Sequence, residues 1–300
     1  MNASRQLPRP LLRLGRIGYL NVLPIYHALE TGEVEGHYQV ASGPPAELNR
    51  LMAAGALDVS AASSIEYARR PEEYLLVPDL AIGSCGPVRS VLLLSRGPVG
   101  GLGGETILVS SQTHTSAALL KVLLADNLRL ETSFRTGDAT SLLAEGQRPA
   151  AILAIGDEAL NLRRHPDYPH CLDLGECWRE WTGLPFIFGV WIVRERSLQD
   201  DRERVLAACR ALQESKRRGL ARLPELCTLA AQKSVLNENE LREYFAGLVY
   251  DLGKRQQLGL ERFFAHLASR GIISSPPPLR FLEMQEAITP SERCATTRSA

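Results

Sequence analysis

The 300-residue sequence has no surplus of either charge: 34 lysines and arginines balance 34 aspartates and glutamates, for a formal net charge of zero. Nucleic-acid backbones and anionic membrane surfaces are bound through an excess of Lys and Arg, so the balance points away from both. No apolar run approaches the length of a membrane span. The stretch from Met1 to Arg16 carries Arg5, Arg9 and Arg13 but lacks the apolar centre and small-residue cleavage site of a secretory leader. A cytoplasmic protein with reduced thiols is therefore expected. Cysteines stand at 85, 171, 177, 209, 227 and 294 with no Cys-x-x-Cys pair, and Cys171 and Cys177 have no histidine pair nearby. No zinc site is expected, and the cysteines read mostly as small buried hydrophobes. Also absent are Gly-x-x-x-x-Gly-Lys-Ser/Thr, Gly-x-Ser-x-Gly and His-Glu-x-x-His. Gly100 to Gly104 precedes a strand instead of following one, so it reads as a linker and not as a dinucleotide fingerprint. Neither a metal nor a bound cofactor is expected.

What is present is the composition of a globular protein, with 45% apolar and 23% charged residues. The length suits two domains. Leu14 to Tyr19 reads as a strand followed by a turn at Asn21 to Pro24, then a helix from Tyr26 to Thr31. Tyr38 to Ala41 and Leu57 to Ala61 are further strands, followed by helices at Ala46 to Ala54 and Ile65 to Arg69. This rhythm implies a parallel sheet with its strand-end loops facing a cleft. Ser90 to Ser95 is a buried strand, Gly97 to Gly104 marks a break, and the pattern restarts with strands at Thr106 to Ser110, Glu131 to Phe134 and Ala150 to Ile155. Helices fall at Ala117 to Leu124 and Ser141 to Ala144. Phe186 to Val193 is a long strand, and helices follow at Leu198 to Gly219, Pro224 to Lys233, Glu238 to Tyr250 and Leu258 to Ala268. The expected organisation is α/β with two lobes: residues 13–96 and 191–282 form the first, 97–190 the second, and 283–300 a disordered tail.

Candidate chemistry lies in the strand-end loops. Asn21 can give and accept hydrogen bonds at the cleft, or simply shape its own turn. Ser63 and Ser64 open a helix and could hold an anion or act as an ordinary cap. Ser110, His114, Thr115 and Ser116 repeat the arrangement in the second lobe, so two facing sites could hold a ligand with two carboxylates. His114 could act as a general base or be merely solvated. Asp157 could orient a polar substrate group or cap the helix after it. Arg89 could pair with a carboxylate or lie on the surface.

The sequence resembles the chorismate dehydratases of the futalosine route to menaquinone, from about Leu14 to Leu267. The resemblance is carried by Ile17-Gly-Tyr-Leu-Asn-Val-Leu-Pro24, by Gly55 to Ala68 with its Ala-Ala-Ser-Ser centre, and by Tyr74 to Leu80. Gly86-Pro-Val-Arg-Ser-Val91, His114-Thr-Ser116, Ile155-Gly-Asp-Glu-Ala159, Asp173-Leu-Gly-Glu-Cys-Trp178 and Thr182-Gly-Leu-Pro-Phe-Ile-Phe188 complete it. It implies a two-lobed fold like that of type-2 periplasmic binding proteins, with the ligand cleft between lobes. It also implies a hydro-lyase that converts chorismate to 3-[(1-carboxyvinyl)oxy]benzoate and water. By that resemblance Asn21 lies beside the reacting ring, Ser63 and Ser64 hold a carboxylate, and Ser90, Ser110, Thr115 and Ser116 line the rest of the cleft. Arg89 lies outside the family pattern. Alternatives are a non-catalytic cytosolic carboxylate-binding protein of the same fold and 1,4-dihydroxy-6-naphthoate synthase. Thiamine-precursor synthesis would call for a Cys-rich or reactive-His centre that the sequence lacks.

Overall fold

A computed structural model describes residues 11–284; the chain before and after them, including most of the tail expected from 283, lies outside the described residues. Strand β1 (Leu12–Ile17) leads through a 3-10 turn to α1 (Leu23–Glu30), β2 (Tyr38–Gly43) to α2 (Pro45–Ala53), and β3 (Val59–Ser63) directly to α3 (Ser64–Arg69). Pro24 and Pro45 stand in the first turns of α1 and α2, where a missing N–H costs nothing. The long β4 (Tyr74–Ser84) and β5 (Val91–Ser95) follow, then β6 (Thr106–Val109) and α4 (Thr115–Val122). Next come β7 (Ser133–Thr136), α5 (Ala139–Ala144), β8 (Ala151–Ile155), α6 (Gly156–Leu162), β9 (His170–Asp173) and α7 (Leu174–Thr182). The chain ends with β10 (Phe186–Arg194), α8 (Glu195–Asp200), α9 (Arg202–Ala221), α10 (Leu223–Ala231), α11 (Glu238–Ala246), β11 (Leu248–Val249) and α12 (Lys254–Ser269). No helix among the described residues is long and apolar enough to cross a membrane.

The strands form two sheets, one of six strands in the order β2-β1-β3-β10-β4-β11 and one of five in the order β7-β6-β8-β5-β9. Each has a parallel trio, β2-β1-β3 and β7-β6-β8, flanked by antiparallel strands, so the expected parallel sheets are mixed ones. The strand at 90–95, assigned from sequence to the first lobe, belongs to the second: β5 pairs with β8 and β9. Residues 186–190, assigned to the second lobe, belong to the first, because β10 pairs along its length with β3 and β4. The chain therefore crosses between lobes at 85–90 and at 183–185. Gly97 to Gly104, read as a break with a linker at Gly100 to Gly104, turns the chain from β5 to β6 within one sheet. The helix expected through Tyr250 stops at Ala246 and gives way to the edge strand β11.

Side-chain alternation in β5 shows how the lobes share a core. Val91 and Leu93 join a cluster with β3, β10 and α12, while Leu92 and Leu94 face an outer cluster with Leu108, Ile152 and Tyr168. Burying each such side chain contributes about 1.5–3 kcal/mol. In the first lobe α9 lies so close to α1 that a Cβ on Gly219 would sit 1.9 Å from the Pro24 carbonyl oxygen. Cys177, Cys209 and Cys227 are buried, whereas Cys85 and Cys171 are exposed.

Candidate functional site

Parallel β-α units put the loops after β1 and β3 opposite those after β6 and β8, where the two lobes meet. Between them lies a pocket that, together with its open mouth, encloses about 590 Å³ not filled by protein atoms. Asn21, Ser63, Ser90, Thr115 and Ser116 all line it, so the structure brings together candidates from both lobes. Four candidates are placed elsewhere, Arg89 among them. Ser64 is fully buried behind the wall, 3.3 Å from Thr115 Oγ1. Ser110 Oγ accepts the Gln112 N–H and shapes its own loop. Asp157 is exposed at a separate outer groove, where its carboxylate accepts the Leu20 N–H at 3.3 Å. Gly156 faces the pocket in its stead. The φ of +56° at Gly156 turns the chain there, and its Cα lies against the Tyr19 ring from the other lobe.

The facing helix starts meet directly. Thr115 Oγ1 accepts the Ile65 N–H at 3.2 Å, supplying from the second lobe a cap that Ser63 does not give α3. Asn21 lies in the 3-10 turn after β1, and the Tyr250 hydroxyl donates to its backbone carbonyl at 3.0 Å. The amide oxygens of Asn21 and Gln112 are buried with no hydrogen-bond partner among the described residues. Such atoms are costly to leave unpaired, which favours a ligand that supplies donors. The Ser90 hydroxyl receives the Tyr244 O–H at 3.1 Å.

The lining contains no Lys, Arg, Asp or Glu; its ionisable side chains are Tyr19 and His114. Burial pushes the Tyr19 phenol up to about 12, with the negative charges of Glu158 and Asp157 adding to the effect. Burial likewise pushes His114 down from its ordinary value, helped by the charge of Arg69. Both are neutral near pH 7. An anion here meets hydroxyls, amides and backbone dipoles instead of a cation. Arg89 is turned away: its guanidinium pairs with Glu243 at 2.7 Å, and its backbone N–H, like that of Val88, is held by Asp173.

Sequence reasoning missed Tyr244 and Tyr250, which reach the site from a segment read as one continuous helix. It also missed Phe188 on β10 and Asn49 on α2, which hydrogen-bonds Ser63 and His114 from behind the wall. Only their polarity within apolar helical faces could have marked Asn49 and the two tyrosines. Among the described residues no three His, Cys, Asp or Glu side chains converge as a metal set.

A family model described as menaquinone biosynthesis matches residues 12–269. A chorismate dehydratase of Thermus thermophilus is 32% identical over 265 residues, covering 83% of this chain and 93% of that protein. A 1,4-dihydroxy-6-naphthoate synthase of the same organism is 29% identical over 282 residues, covering 89% and 98%. Among solved structures, a Candida albicans protein described as having the generic periplasmic binding protein fold superposes with a TM-score of 0.68. It is 11% identical, with 93% of this chain and 99% of that one covered, and the likeness shows the fold alone. The two-lobed periplasmic-binding-protein fold is thus the fold of this chain.

Proposed function

The chain belongs to the menaquinone biosynthesis family, and from that premise we propose that it is a chorismate dehydratase of the futalosine route, a carbon–oxygen hydro-lyase. The supporting observation is an interlobe pocket lined by neutral hydrogen-bonding groups from both lobes, with no ionised side chain among them. Chorismate loses the C3 proton and the C4 hydroxyl, giving 3-[(1-carboxyvinyl)oxy]benzoate and water. Aromatisation supplies the driving force, so the protein's work is to hold a dianion in one reactive conformation and to manage one proton.

In this reading Ser63, Ser90, Thr115 and Ser116 hold the two carboxylates, and the Tyr19 phenol, protonated at neutral pH, can donate as well. Asn21 lies beside the ring, with its amide oxygen free to accept from the substrate. The substrate's own enolpyruvyl carboxylate takes the C3 proton while Asn21 fixes the geometry. Incubation with chorismate should release an aromatic product, and Asn21→Ala should lower kcat by roughly a hundredfold, the usual cost of removing one preorganised hydrogen bond to the reacting substrate. Wild-type turnover in Asn21→Ala would count decisively against the role given to Asn21. Formation of 1,4-dihydroxy-6-naphthoate from a cyclic futalosine, with no product from chorismate, would move the chain to the sister activity. Binding without turnover would make it a carboxylate-binding protein.

A further inference from the structure

Asn49 projects from α2 toward the back of the pocket wall and is 2% exposed. Its Oδ1 accepts the Ser63 backbone N–H at 3.3 Å. Its Nδ2 lies 3.0 Å from Ser63 Oγ and 3.1 Å from His114 Nδ1. The Ser63 N–H fixes which way the amide points, because turning it over would set an NH2 group against that N–H. Nδ2 therefore donates to His114 Nδ1, which must carry a lone pair. In a neutral imidazole the proton then sits on Nε2. Nε2 has no hydrogen-bond partner among the described residues, and the ring lines the pocket.

We propose that Asn49 is a positioning residue that locks His114 in its Nε2–H tautomer, so that the imidazole meets the substrate as a neutral donor to a carboxylate and offers no lone pair to act as a base. The proposal rests on the dehydratase reading for its substrate and deepens it. Burial keeps the ring uncharged, and Arg69 on α3 is the charged group that reinforces this. From α2 and β3 the ring's surroundings are the uncharged Asn49 and Ser63. The one basic nitrogen in the lining is thus turned to the wall, and Tyr19, the other ionisable lining group, is protonated. The C3 proton is left to the carboxylate of the substrate.

The lock spans the lobes, since Asn49 belongs to the six-stranded half and His114 to the other. It also makes Asn49→Asp a diagnostic change. An aspartate can still accept the Ser63 N–H, but it needs a proton on Nδ1, which inverts the tautomer and raises the pKa of the ring.

The test uses the full chain with 15N-labelled histidine and steady-state kinetics on chorismate. The wild-type ring should show an unprotonated Nδ1 and a protonated Nε2. His114→Ala should raise KM roughly tenfold to hundredfold, the worth of a hydrogen bond to a charged group. His114→Gln, whose amide nitrogen can reach the place of Nε2, should recover most of that loss. Asn49→Asp should be active only in acid and lose activity as pH rises through the raised pKa, because neutral Nε2 then presents a lone pair to a carboxylate. Wild type should show no such alkaline fall. The proposal is overturned by a protonated Nδ1 in the wild-type ring, by loss of turnover with intact binding in His114→Gln, or by a wild-type pH profile in Asn49→Asp. If Asn49→Asp does not fold, the wild-type ring signals and His114→Gln still decide. A wild-type protein inert toward chorismate would sink the dehydratase reading, while the tautomer measurement would still judge the lock.

Discussion

Replacing Gly156 by alanine tests whether the contact between the lobes is part of the working site. A Cβ at this position would lie 2.9–3.0 Å from three atoms of the Tyr19 ring. Carbon atoms settle at about 3.5–4.0 Å, so the ring would have to retreat by about 0.5–1 Å. The backbone at Gly156 has φ +56°, which costs an alanine about 1–2 kcal/mol whether the lobes are open or closed. Overpacking adds about 1–3 kcal/mol, and this part is borne only when Tyr19 and residue 156 meet. The two costs separate in the measurements. The backbone cost lowers Tm by a few degrees. The overpacking cost lowers substrate affinity by roughly fivefold to more than a hundredfold, at 1.4 kcal/mol per decade. Calorimetric titration and kinetics on the Gly156→Ala protein measure the affinity, and a thermal melt measures the rest. In a Tyr19→Ala background the same substitution should cost little affinity, since no ring remains to be displaced. An equal loss of affinity in both backgrounds would refute the reasoning, as would an unchanged KM accompanied by a large drop in Tm.

Glu158 gives a pH-dependent expectation. Burial, aided by the negative charge of Asp138, raises its carboxyl from 4.5 to about 6. A folded pKa above the unfolded one stabilises below about pH 4.5, and that contribution is lost as pH rises through about 6. Glu158→Gln should therefore gain roughly 1–2 kcal/mol over wild type at pH 8 and nothing at pH 4, as read from urea melts at the two pH values. Gly219→Ala should destabilise by about 3 kcal/mol or more, because its Cβ would meet the fixed backbone oxygen of Pro24; a melt within a degree of wild type would show that α1 and α9 can slide apart.

The strand-end loops were legible because a β-α unit announces itself by an apolar run, a turn and a helix start, and that geometry sends Asn21, Ser63 and Ser116 to one place. The lobe boundary was not. The apolar run of β5 reads the same whichever sheet it joins, and the glycines at 97–104 mimic a linker more strongly than the true crossing at 85–90. β4 escaped notice because Pro78 and the positive φ of Asp79 interrupt its pattern, a kink tolerated within a long strand that bulges where it pairs with β10. At the site, sequence favoured Asp157 over Gly156, since an acid looks like chemistry and a glycine looks like a turn. Which of the two faces the pocket depends on a backbone angle that composition does not record. Asn49 acts through its partners, and Tyr250 through the carbonyl of Asn21, so neither carries a motif of its own.

Among the described residues, the two lobes are joined covalently at two places, 85–90 and 183–185. Two fixed points define a line, and rigid bodies joined along a line retain one rotational freedom about it. The single carboxylate of Asp173 stiffens one end of that line, its two oxygens accepting the N–H groups of Val88 and of Arg89, the latter at φ +62°. Any turn about that line would change the approach of Tyr19 to Gly156 and of Asn49 to His114 together, because both contacts join one lobe to the other.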